Sequence, residues 1–146
     1  MTDSLTSCTL SAADYDAIRS VWEAAGLRIR PAGRDTREAL AAQMTSGCVR
    51  VIGLADGARV VAVALLSTDS RRGWINRLAV HPDYQRRGLA LRLIREGEAA
   101  LAEMGAYIFA VHIETWNDPS LALFARAGYH HHDDIVYCSK RDSQDL

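Results

Sequence analysis

Apolar residues run together or alternate over some short stretches of the chain and recur every three or four positions over others, so strands and helices separate by period. Ser7–Leu10 reads as a short strand. Ser11, with Asp14 three positions on, is a weak capping box, and Ala13, Ala17, Ile18, Val21, Trp22 and Ala25 follow at helical spacing until Gly26. Leu27–Arg34 is irregular and holds Pro31 and Gly33. Asp35 with Glu38 gives a second capping signature and predicts a helix through about Met44. The apolar runs Val49–Ala55 and Arg59–Leu66 flank Asp56-Gly57, a turn pair that tolerates positive φ, and predict a hairpin. Ser67–Gly73 is a polar loop, and Trp74–Val80 is a fourth strand broken by His81-Pro82-Asp83.

The longest helix is predicted over roughly Arg87–Met104, with Gly105 just past its end. Leu89, Ala90, Leu93, Ile94, Gly97, Leu101 and Met104 share one face, and Arg92, Arg95, Glu96 and Glu103 the other. Ala106–Ile113 is mostly apolar and predicts a strand buried on both faces. Asp118-Pro119 opens a short helix, with Asp118 as its cap, that ends at Gly128; Tyr129–Lys140 reads as extended and Arg141–Leu146 as a polar tail. The order β-α-α-β-β-β-α-β-α-β, an antiparallel meander followed by a β-α-β crossover, predicts an α/β fold with a mixed sheet and helices on both faces. With no repeat, linker or composition break, residues 1–146 read as a single domain.

Composition adds exclusions. A chain of 146 residues, 49% apolar and 24% charged, has ordinary globular make-up and not that of a disordered one. Seventeen basic against eighteen acidic residues leave a net charge of −1, which gives no bulk electrostatic case for nucleic acid or an anionic membrane. The longest apolar run, Val60–Leu66, is too short to span a bilayer, and Met1–Leu10 does not read as a signal peptide. Cys8, Cys48 and Cys138, odd in number and widely spaced, read as reduced thiols of a cytoplasmic protein.

The chemistry concentrates where the fourth strand gives way to the long helix. Free backbone N–H groups and the positive end of the helix macrodipole meet there. Gly88 lets an anion approach the backbone, Ala90 keeps the next position clear, and Arg86 and Arg87 add charge. This suits a diphosphate, although a plain helix start with solvated arginines is the bland reading of the tetrapeptide alone. Neither a P-loop nor a three-glycine dinucleotide fingerprint is present.

Two stretches decide between these readings. Leu78-Ala-Val-His-Pro-Asp-Tyr-Gln-Arg-Arg-Gly-Leu-Ala90 resembles the acetyl-CoA motif of the GCN5-related N-acetyltransferase (GNAT) family, Gln/Arg-x-x-Gly-x-Gly/Ala. Asn117-Asp-Pro-Ser-Leu-Ala-Leu-Phe-Ala-Arg-Ala-Gly-Tyr129 is similar in spacing to a second motif of that family. The resemblance covers about Val49 to Tyr129. It implies a mostly antiparallel sheet of six or seven strands, splayed between the fourth and fifth, and acetyl-CoA as cosubstrate with no metal. It further implies that backbone groups of Leu78, Ala79 and Val80 pair with the pantetheine arm and that Gln85, Arg86, Arg87, Gly88, Leu89 and Ala90 hold the diphosphate. Asn117 would bond the arm, and Phe124 would sit beside the sulfur.

The implied reaction is direct transfer of the acetyl group to an amine in a ternary complex. The acceptor is a small molecule, a protein N-terminus or a lysine. Phe124 stands where many relatives carry a tyrosine that protonates the leaving thiolate. A thiol pKa near ~8.5 makes that thiolate a fair leaving group unaided. His112 replaces a glutamate found in relatives that acetylate protein N-termini, and Asn76 stands where others place a carboxylate. An alkyl amine, with pKa near ~10, must shed a proton before it attacks. Candidate catalytic groups are His112, of the side-chain type that titrates nearest neutrality, and Glu114 two residues on. A packed strand histidine and an ordered water chain are the alternatives.

Other features read more plainly. His130-His131-His132-Asp133-Asp134 suits a polar strand end better than a metal set, since only His130 and His132 share a face. Arg28, Arg30, Arg34 and Arg37 follow the first helix, where relatives wall the acceptor site; they read as solvated side chains or as attractors of a carboxylate or phosphate. Of Trp22, Trp74 and Trp116, Trp116 is the one expected to shape an acceptor site. Cys138 is not expected to act as a nucleophile. Relatives carry two strands after the last helix, and Ile135–Lys140 supplies one, so a homodimer could complete the open edge. A non-catalytic acyl-CoA sensor and an interaction protein without CoA affinity are the competing functions.

Overall fold

The computed structural model describes residues 4–143. Strand β1 (Thr6–Leu10) leads to helices α1 (Tyr15–Ala24) and α2 (Arg37–Thr45). Strands β2 (Val49–Asp56), β3 (Arg59–Thr68) and β4 (Arg72–Val80) follow as a meander. Helix α3 (Leu89–Glu103), strand β5 (Ile108–Ala110) and helix α4 (Asp118–Arg126) complete the order. The sheet runs β1-β2-β3-β4-β5, antiparallel throughout except for the parallel β4–β5 pair.

Local chemistry sets most boundaries. Ser11 makes the capping box with Asp14, over a single tight turn that runs into α1. In the β2–β3 hairpin Asp56 pairs with Arg59, so the turn residues are Gly57 and Ala58, one position later than expected, with Gly57 at φ +60°. Helix α2 starts later than its capping signature predicts. Thr36 is the cap, its Oγ1 accepting from the Ala39 N–H at 3.0 Å. Asp35 turns inward instead, because its carboxylate is taken by the Arg30 N–H and the Arg77 guanidinium. Likewise α4 is capped by Asn117, whose side chain accepts from the Ser120 N–H, and Asp118 falls inside the first turn.

The sheet is covered on both faces. One core packs α3 and α4 on the sheet through Ile52, Leu54, Leu66, Ile75, Leu93, Ile94, Leu101 and Phe124. The other packs α1 and α2 through Ile18, Val21, Trp22, Leu40, Val51, Val63 and Leu65. This confirms the mixed α/β sheet, with five strands among the described residues where six or seven are expected. Residues 129–140 form no strand, and Ile135, Val136 and Tyr137 lie exposed. Nor is β5 buried on both faces: Ile108 and, just before the strand, Tyr107 are open to solvent, and no described strand pairs with its outer edge.

Candidate cofactor cleft and acceptor site

The pairing of β4 with β5 is short. Arg72, Gly73 and Trp74 face Ile108, Phe109 and Ala110, and the two strands then part. From Ile75 to Val80 β4 remains bonded to β3 only, while residues 111–114 lead away to α4. The backbone of β4 also breaks register: Arg77 has φ +50° and the β3–β4 ladder shifts beside it. A bulge bends the strand and re-aims its side chains. The Trp22 Nε1–H donates to the Arg77 carbonyl at 3.1 Å and fixes the bulge against α1.

The gap opens into one cleft of about 860 Å³. Its helix-side wall includes Gln85, Arg86, Gly88, Leu89, Ala90, Asn117, Leu123 and Phe124. Leu78 and Val80 line it from β4, and His112 and Glu114 from the segment after β5. Its far mouth is formed by Leu27, Arg28, Arg34, Asp35, Asn76 and Arg77. Thus the expected site residues come together around one space, except that Ala79 is buried in the α1-side core and Arg87 is absent from the lining. The Arg87 guanidinium lies 5.0 Å from the centre of the Tyr84 ring.

At the helix end, Gly88 has φ +75° and a Cβ built on it would meet nothing within 4 Å. Arg86, two residues earlier, also has positive φ. No side chain caps the first turn of α3, so its leading N–H groups face an open approach. Gln85 ties this turn to the strand, its Nε2 donating to the Val80 carbonyl at 3.0 Å. The arrangement fits a diphosphate: bare N–H groups, a helix dipole and a guanidinium at an unfilled surface. The open edge of β4 beyond Trp74 offers a strand's unpaired amides to an extended arm. Asn117 spends its Oδ1 on the α4 cap, which leaves Nδ2 to donate.

On the β5 side of the cleft, exposed His112 lies between the rings of Trp74 and Tyr137, tilted against both, with ring centroids 4.5 and 4.9 Å away. Phe124 is buried and meets Tyr129 edge to face at 5.1 Å. The Tyr129 hydroxyl donates to Glu98 at 2.7 Å, and burial first, then that bond, pushes the phenol far above its ordinary range. Trp116 does not shape the cleft; it is 76% exposed. His130 and His132 do approach each other, at 4.7 Å between ring centres, yet among the described residues no group of three ligand side chains could hold a metal ion. No helix of the described residues is long and apolar enough to cross a membrane.

Sequence reasoning missed Arg77 and misassigned Asp35. The Arg77 Nη2 lies 2.9 Å from Asp35 Oδ2, both side chains are largely buried, and the guanidinium sits 5.1 Å from the Trp22 ring centre. Burial holds the Arg77 guanidinium below the ordinary arginine range, Asp35 opposes this, and Arg34 and Arg30 add to it. No local pattern marks an arginine for a left-handed position in mid-strand.

Comparison with known proteins agrees with this geometry. The profile of the Acetyltransferase (GNAT) family matches residues 15–129, and the chain belongs to that family, whose chemistry is acetyl transfer from acetyl-CoA. Among solved structures it is similar to AAC(6')-Iy in complex with the bisubstrate analogue CoA-S-monomethyl-acetylneamine, at TM-score 0.77 and 13% identity over 94% of this chain and 98% of that one. The PaiA N-acetyltransferase from Thermoplasma acidophilum in complex with coenzyme A gives 0.73 and 16% over 88% and 91%. The ribosomal-protein-S18-alanine N-acetyltransferase from Escherichia coli gives 0.68 and 20% over 85% and 76%.

Proposed function

We propose that residues 1–146 form a single catalytic domain that transfers acetyl directly from acetyl-CoA to an amine within a ternary complex. The observation that carries this reading is the continuity of the cleft, from the uncapped start of α3, along the open edge of β4, to a mouth beside α1 and α2. A cosubstrate and an acceptor can meet in one space without an enzyme-bound acyl group.

Acetyl-CoA would supply the acyl group as a thioester. Gln85, Arg86, Arg87, Gly88, Leu89 and Ala90 would hold its diphosphate, Arg87 contributing charge from over Tyr84. The Leu78–Val80 edge would pair with the pantetheine and offer an N–H near Val80 to the carbonyl oxygen. The Asn117 Nδ2 would bond the arm, with Phe124 packed beside the sulfur. His112 or Glu114 would accept the amine's proton. Their location on the β5 side of the cleft supports this, and the flanking rings of Trp74 and Tyr137 would fix the imidazole. Most of the rate would come from positioning and oxyanion stabilisation. The reading calls for no metal ion.

A second reading, a non-catalytic acyl-CoA sensor, draws on Phe124 and on the Tyr129 hydroxyl being committed to Glu98, so that neither supplies a proton to a thiolate. Both readings expect heat on titration with acetyl-CoA. Release of free thiol when amines are added supports the transferase; binding without thiol release across primary amines of every charge supports the sensor.

A further inference from the structure

We infer that the acceptor is an amine that also carries an anionic group, carboxylate or phosphate, received by Arg77, Arg28 and Arg34; this rests on the transferase reading above. The far mouth of the cleft is short of negative charge. Arg28, Arg34 and Arg77 line it, and Arg30 lies close enough to disfavour the charge on Arg77. Against them stands one buried carboxylate, Asp35, which is shared between the Arg77 guanidinium and the Arg30 backbone N–H. Two guanidinium nitrogens, Arg77 Nη1 and Arg30 Nε, are buried with no hydrogen-bond partner.

Buried charged donors left unpaired are costly, and in folded proteins they are nearly always satisfied. Hydrophobic residues would pack against Trp22 at lower cost than an under-neutralised arginine. An anion supplies what this corner lacks: acceptor oxygens in a planar or branched array that a guanidinium fork can bind at two points. Exposed Arg28 and Arg34 meet it first. Nη1 itself is closed from solvent, and Arg77 meets the cleft through the part of its side chain that lines it. Glu114 and His112, on the segment after β5 that lines the same cleft, are left to face the amine. A polycationic amine meets the wrong sign of charge at this mouth.

The test compares four amines on the CoA-loaded protein: L-alanine, L-alanine amide, 2-aminoethyl phosphate and spermidine. Calorimetry reads binding, and thiol release from acetyl-CoA reads turnover. L-alanine or 2-aminoethyl phosphate is expected to exceed the amide roughly tenfold in affinity and in kcat/KM, and the better of the two identifies the anion. The Arg28→Gln/Arg34→Gln variant, confined to exposed side chains, is expected to lose most of that advantage while its heat with CoA stays unchanged. The inference is overturned if the amide or spermidine equals both anions, if the double variant keeps the wild-type ratio, or if neither anion gives heat. Heat from an anion with no thiol release from any of the four amines leaves the anion site standing and removes the transferase reading. Thiol release confined to the amide or spermidine does the reverse.

Discussion

Gly88 combines a left-handed backbone, which a side chain would strain, with an open approach to the first turn of α3, which a side chain would obstruct. A Glu there adds backbone strain and places a carboxylate at the proposed diphosphate site. Gly88→Glu is expected to weaken CoA binding at least roughly thirtyfold, about 2 kcal/mol, by calorimetry. Retained affinity would put the diphosphate elsewhere. His112 makes the second prediction at this scale. If it takes the amine's proton, His112→Ala lowers kcat by roughly a hundredfold and removes the acid limb of the pH–rate curve. If its stacking on Trp74 and Tyr137 is its whole purpose, the pH profile keeps its shape and only stability falls.

Among the polar ties that join elements, one rests on a half-buried phenol. The Tyr129 hydroxyl fastens the exit of α4 to Glu98 on α3. Its folded pKa lies above the unfolded value, so its contribution is fully present below the ordinary phenol range and is lost as pH rises through the folded value. Tyr129→Phe is expected to cost about 1 kcal/mol in urea unfolding near neutrality, with the gap to wild type closing only in strongly alkaline buffer. A gap that closes already between pH 7 and 9 would remove this account. Helix and strand periods were legible in the sequence because they repeat over neighbouring residues. The caps of α2 and α4 were legible only to within one residue. Asp35 and Asp118 are as good cap formers as Thr36 and Asn117, and the choice fell to the tertiary partner that claims Asp35 and to the Asn117 bond to Ser120.

For the whole molecule, the uncovered side of β5 has the largest consequence. Tyr107, Ile108, Ile135, Val136 and Tyr137 are all exposed large hydrophobics, with Val136 82% open. A strand edge and an apolar segment left uncovered in one chain are satisfied together when two copies associate. The protein is expected to sediment at twice its 16.0 kDa chain mass, and Ile135→Glu/Val136→Glu to shift it toward the single-chain mass. A wild-type protein that sediments as one chain at every concentration would show that this surface serves something else.

The sequence by itself determined the element order as far as α4, the two-faced sheet, the hairpin to within one residue, and the Arg-Arg-Gly start of α3, since each follows from contacts within a few residues or from a hydrophobic period; the strand expected after α4 does not form among the described residues. Only the tertiary structure decided where β4 and β5 part, that Arg77 sits in a left-handed bulge fixed by Trp22, and that Asp35 leaves its helix cap to face that arginine. The reason is separation along the chain. Trp22 and Arg77 lie 55 residues apart, and a buried charge pair or a break in register is settled by whichever distant groups pack against it, which no local pattern records.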